Sequence, residues 1–105
     1  MGTDITVIIE RQDRITGEWS MLCILYYIGR NYDLFRDIRD ETYSGYPENV
    51  DTLTKRYLDE HECWGECCMS YDQWRELLKK HDMSGWDIIR KSMRDQCRVV
   101  CRFDN

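Results

Sequence analysis

The chain has 105 residues, 42% of them apolar, enough for one hydrophobic core and too few for two, so a single domain over 1–105 is expected. A net charge of -5, with lysine and arginine interleaved among acids, argues against general DNA or RNA binding, which needs clustered basic residues. The longest apolar stretch, 21–28, is roughly a third of a membrane-spanning helix, and no secretory leader is visible, which points to a cytosolic protein without a membrane partner.

In chain order, residues 5–11 are β-branched and partly alternating, which predicts a strand with Val7 and Ile9 on one face. A turn follows from Asp13 to Gly17, and 18–27 reads as the return strand of a hairpin. Its middle is apolar on both faces, which places it at the centre of the sheet. Asn31 is a natural N-cap and Asp33 suits the positive end of a helix over 32–40, whose Leu34, Phe35 and Ile38 share one side. Residues 43–49, with Gly45 and Pro47, read as a loop, after which Asp51 or Thr52 caps a short helix carrying Leu53, Tyr57 and Leu58.

The stretch 62–69 fits a short strand or an irregular loop, and a strand is the reading taken. Ser70 with Gln73 forms a capping box opening a helix through Lys80, with Trp74, Leu77 and Leu78 inward. Ser84 repeats the capping signal before a further helical stretch holding Trp86, Ile89 and Met93. The period-two run Cys97, Val99, Cys101, Phe103 predicts a last strand joining the first hairpin. The expected fold class is therefore α+β: a small antiparallel sheet, N-terminal hairpin plus C-terminal strand, with three to four short helices on one face.

The six cysteines are read as reduced, packed thiols. His61, Cys63, Cys67 and Cys101 form an alternative zinc set that would make the chain a metal-stabilised module. Cys97 and Cys101 cannot clasp one ion together, because four strand residues separate them by about 13 Å. The chain has no nucleophile elbow, phosphate-cradling glycine loop or paired metal-binding helix motif, so no enzyme and no cofactor are expected.

Gly29-Arg30-Asn31-Tyr32-Asp33-Leu34-Phe35 carries the densest binding chemistry. Arg30 can grip a phosphate or carboxylate, the helix start after Asn31 presents backbone donors, and Tyr32 can stack on a base or fill a partner's pocket. The structural alternative has Arg30 paired with Asp33 or Asp104, Asn31 only capping and Tyr32 in the core. Asp104 and Asn105 follow directly on the last strand, near where the Gly29 turn emerges, and complete the candidate ligand-binding set. A free sheet edge favours a homodimer.

The order of Glu10-Arg11-Gln12-Asp13, Thr16-Gly17-Glu18-Trp19, the Gly29-to-Phe35 segment, the Gly45-to-Val50 loop, Glu76-Leu77-Leu78 and Arg98-Val99-Val100-Cys101-Arg102-Phe103-Asp104-Asn105 resembles a group of small bacteriophage and prophage accessory proteins. Cys63, Cys67 and Cys68 depart from that pattern, which tends to polar residues there. The resemblance implies a non-catalytic protein in the host cytoplasm that binds and inhibits a host component, most plausibly an antiviral defence system. Its partner would be a host protein or a small signalling nucleotide.

Overall fold

A computed structural model describes residues 3–26, 28–60 and 64–104. Strands β1 (Asp4–Gln12) and β2 (Trp19–Leu25) form the hairpin, and helix α1 (Tyr32–Glu41) follows. A two-residue strand β3 (Tyr43–Ser44), helix α2 (Thr52–Asp59), strand β4 (Trp64–Ser70) and helix α3 (Tyr71–Lys80) come next. Two 3₁₀ turns, Ser84–Trp86 and Lys91–Gln96, lead into β5 (Cys97–Asp104). All pairings are antiparallel, and the five strands run β2-β1-β5-β4-β3, an α+β fold.

Alternation along the strands assigns the two faces. Val7 and Ile9 of β1, Val99, Cys101 and Phe103 of β5, and Met69 of β4 are buried together with Leu34, Phe35 and Ile38 of α1 and Trp74, Leu77 and Leu78 of α3. The intervening residues Ile8 and Val100 meet Leu58 of α2, with Met21, Ile24, Tyr46 and Tyr57 around them. Helices thus cover both faces, whereas the sequence pattern suggested one. The reason is that β1 and β5 bury consecutive residues from 7 to 10 and from 99 to 101, which demands cover on each side.

The return strand also differs from expectation. β2 lies at an edge and β5 holds the centre. The two-sided apolar character of β2 comes from α2 above Met21 and Ile24 and the main core beneath Cys23 and Leu25, not from flanking strands. Between Ile9 and Glu10 the register slips so that Leu22 is an extra, half-exposed residue, a bulge of the kind that blunts an edge. The strand over 64–70 forms as read, and the loop at Tyr43 contributes β3 by pairing with Cys67 and Cys68.

Local capping chemistry behaves as the residues dictate. Asn31 Oδ1 accepts from Leu34 N at 3.0 Å and Asp51 Oδ1 from Leu53 N at 3.1 Å, while Ser70 and Gln73 complete the capping box. The continuous helical stretch expected after Ser84 is instead two 3₁₀ turns, and Ser84 makes no cap. Asp87 explains this: its carboxylate takes hydrogen bonds from Tyr71 Oη and Arg75 Nε, both at 2.8 Å, and Tyr71 Oη in turn accepts from Ile89 N. Those anchors pin the backbone at 87–89 in a non-helical path. Burial and the neighbouring Asp87 carboxylate push the Tyr71 phenol up to about 12.

One buried polar network fastens α2 to the sheet. Glu10 is fully buried, and its Oε1 accepts from Arg98 Nε at 2.8 Å across the β1–β5 pair. Glu10 Oε2 accepts from Asp51 N at 3.0 Å, and Asp51 Oδ2 accepts from Met21 N at 2.7 Å. Arg98 also donates to the carbonyls of Glu48 and Asn49 and lies 3.9 Å over the Trp19 ring. Each oxygen of the buried Glu10 carboxylate thereby has a donor.

Asp37 of α1 ties that helix to the end of α3, lying 3.0 Å from Lys80 Nζ and 2.7 Å from His81 Nε2. Lys80, then His81, holds its carboxyl below the ordinary 3.8. A lowered folded-state value means stabilisation that is complete above the unfolded value and lost as pH falls through the folded one. Asp37→Asn is therefore expected to flatten the decline in unfolding free energy below about pH 4, read by urea titration at a series of pH values. An acid limb identical to wild type would remove Asp37 from the account.

Candidate functional site

The Gly29-to-Phe35 segment sits where β2 hands the chain to α1. Gly29 has φ +93°, a left-handed conformation that a side chain would strain, and it reverses the chain just after buried Ile28. Asn31 serves as the N-cap and its amide nitrogen reaches Met83 Sδ at 3.6 Å, linking this turn to the segment after α3.

Arg30 does not pair with Asp33 or Asp104. Its guanidinium forks onto Asp4, with Nε at 2.7 Å and Nη2 at 3.2 Å from the two carboxylate oxygens. The arginine's hydrogen bond holds the Asp4 carboxyl below its ordinary range. Asp33 pairs instead with Arg36 at 2.6 Å. Tyr32 is not in the core: it is 53% exposed, its hydroxyl accepts from Thr3 N at 3.3 Å, and its ring meets Phe35 edge-on at 5.7 Å. Phe35 passes that contact to Phe103 at 5.5 Å. Asp104 lies opposite Asp4 at the end of the β1–β5 pair, and Asn105 lies outside the described residues.

Two hollows flank this turn. One, open and about 700 Å³, is lined by Ile28, Gly29, Arg30, Asn31, Tyr32 and Met83 among others. The second, about 240 Å³, lies on the side of Asp4, Thr6, Tyr26, Tyr57 and Asp104 and shares Ile28 and Gly29 with the first. The fold thus brings Arg30, Asn31, Tyr32 and Asp104 to one end of the sheet. It adds Asp4, Tyr26, Tyr57 and Met83, which sequence reasoning missed. Strand pairing brings Asp4 there, and the packing of α2 on the sheet brings Tyr57. Among the described lining residues Arg30 is the one basic side chain; Asp4 holds it, while Asp33 lines the first hollow and Asp104 the second.

Of the alternative zinc set, His61 and Cys63 lie outside the described residues. Cys67 and Cys101 stand directly opposite each other across β4 and β5. Among the described residues no three His, Cys, Asp or Glu side chains gather as a metal site, and Cys23, Cys67, Cys68, Cys97 and Cys101 are free thiols. The Cys101 thiol donates to Cys67 sulfur, which brings the Cys67 thiol down to about 7 against the opposing effect of burial. The same bond, with full burial, pushes the Cys101 thiol well up.

A third hollow of about 440 Å³ separates α1 from α3, lined by Glu41, Thr42, Asp72, Gln73, Glu76 and Lys80 with Leu77 at its base. No helix among the described residues is long and apolar enough to cross a membrane. Comparison with protein-family models, curated protein sequences and solved structures found no match.

Proposed function

We propose that this chain is a non-catalytic accessory protein, of the kind phage and prophage genomes encode, that binds and blocks a protein component of an antiviral defence system of its host. The observation that carries the reading is the sheet end around Gly29, where Tyr26 and Tyr32, 56% and 53% exposed, flank two joined hollows rimmed by Arg30, Asp4 and Asp104. Exposed tyrosines beside an ion pair and an apolar floor at Ile28 are the residue types that dominate protein–protein binding energy. Protein blocking is favoured over capture of a signalling nucleotide because the Arg30 fork is already engaged by Asp4 and the surrounding carboxylates oppose an anion. The working place of such a protein is the host cytoplasm.

The test is expression in bacteria carrying defined defence systems, challenged with a phage each system restricts. Wild-type protein is expected to restore plating against at least one system. The double variant Tyr26→Glu/Tyr32→Glu is expected to lose that restoration and to weaken binding to the purified target at least about 10-fold, equivalent to ~1.4 kcal/mol. Both side chains are more than half exposed, so the circular dichroism spectrum should stay at that of wild type, with a small fall in melting temperature from the lost Thr3 and Phe35 contacts of Tyr32. Restoration of plating by the double variant at wild-type level, or none by wild type in any system, would refute the reading.

A further inference from the structure

Cys67 and Cys101 form the one cross-strand register pair of thiols among the described residues, and nothing in the proposed binding role uses them. Directly opposed residues of an antiparallel pair stand about 4.5–5.5 Å apart at Cα. That span lies within the range of about 4.4–6.8 Å that a disulfide accepts, so bridging them needs no backbone rearrangement. The Cys67 thiol donates to the carbonyl of Gly65 at 3.3 Å.

Access distinguishes the two members. Cys101 is fully buried at the sheet centre, whereas Cys67 lies on β4, next to the two-residue edge strand β3, and is 4% exposed. Thr42, whose hydroxyl donates to the Ile38 carbonyl at the end of α1, neighbours Cys67 and lines the hollow between α1 and α3. A small oxidant entering that hollow approaches the pair from the Cys67 side, with Cys101 fully buried behind it.

We propose that Cys67 and Cys101 are an oxidation site at which peroxide closes a disulfide between β4 and β5, with Cys67 as the attacking and Cys101 as the resolving thiol. Cys67 thiolate attacks one peroxide oxygen, the O–O bond breaks, and hydroxide leaves and takes a proton to become water. Cys67 is then a sulfenic acid. The Cys101 sulfur displaces the sulfenic hydroxyl, which leaves with the Cys101 proton as a second water, and the S–S bond forms. Two thiols are oxidised by two electrons and one peroxide is reduced to two waters. The product cross-links the central strand to its neighbour and leaves Cys23, Cys68 and Cys97 as thiols.

The experiment treats the reduced protein with a few equivalents of hydrogen peroxide, alkylates it under denaturing conditions, and maps peptides without reductant. A loss of about 2 Da in the intact mass and a linked peptide pair joining Cys67 to Cys101 are expected, both reversed by dithiothreitol. The oxidised protein is expected to melt at a higher temperature than the reduced one. Cys101→Ala should leave Cys67 as a sulfenic acid that reacts with dimedone, and Cys67→Ala should abolish the bridge. Full alkylation of both cysteines after peroxide, or a bridge to Cys23, Cys63, Cys68 or Cys97 in their place, overturns the assignment. These readouts are taken on the wild-type chain first, so a variant that fails to fold does not decide the matter.

Discussion

Arg98→Met is expected to cost about 3–5 kcal/mol of folding free energy, read as a lowered urea midpoint with an unchanged slope. The loss does not come from the missing cation alone. Glu10 is fully buried, so removal of its partner leaves a carboxylate in the sheet interior with Asp51 N as its one remaining donor. The carbonyls of Glu48 and Asn49 lose a donor at the same time, and Trp19 loses the guanidinium over its ring. The double variant Glu10→Met/Arg98→Met removes the stranded charge and is expected to recover most of the loss, because a buried ion pair contributes little over apolar residues of similar size. A double variant as unstable as the single one would mean that the hydrogen bonds to the 48–51 loop, and not the unpaired charge, set the cost.

Trp74→Ala is expected to cost about 3–5 kcal/mol by the same measurement, and Trp74→Phe less than about 1.5 kcal/mol. Trp74 is fully buried between α3 and the sheet, so truncation to alanine opens a large cavity in the principal core. Its indole nitrogen finds no hydrogen-bond partner among the described residues, which is unusual for a buried tryptophan. Phenylalanine keeps most of the ring contacts and removes a donor that already carries a desolvation cost, so the two terms partly cancel. A phenylalanine variant as unstable as the alanine one would show that the outer ring of the indole is what holds α3 on the sheet.

The parts of this fold legible in the sequence are those governed by local chemistry. Asn31, Asp51 and Ser70 cap their helices because the capping oxygen and its donor are two or three residues apart. The alternation at Cys97 to Phe103 marks β5 for the same reason. Strand order was not legible: an apolar β2 looks alike whether a strand or a helix covers it, and α2 supplies the cover here. The 3₁₀ turns after Ser84 were hidden because Asp87, held by Tyr71 and Arg75 from the previous helix, overrides the helical periodicity of Trp86, Ile89 and Met93.

The candidate site divides along the same line. Asn31 and the exposed Tyr32 follow from the helix start, but the partner of Arg30 is 26 residues away in β1. The β1–β5 pairing sets Asp4 and Asp104 opposite each other at the sheet end, where Asp4 takes up the Arg30 guanidinium, which a reading confined to residues 29–35 cannot anticipate.

The central position of β5 has a consequence for how the chain is made. Among the described residues the β1–β2 hairpin and the β3–β4 pair meet in the sheet through β5, which comes after both in the chain. Until residues 97–104 leave the ribosome, the two halves have no shared hydrogen-bond ladder, and the inner edges of β1 and β4 stay open to solvent and to other chains. The sheet is therefore completed by insertion of β5 between two edges made before it, so a nascent chain stalled before Cys97 should expose both and be more prone to aggregation than the full sheet.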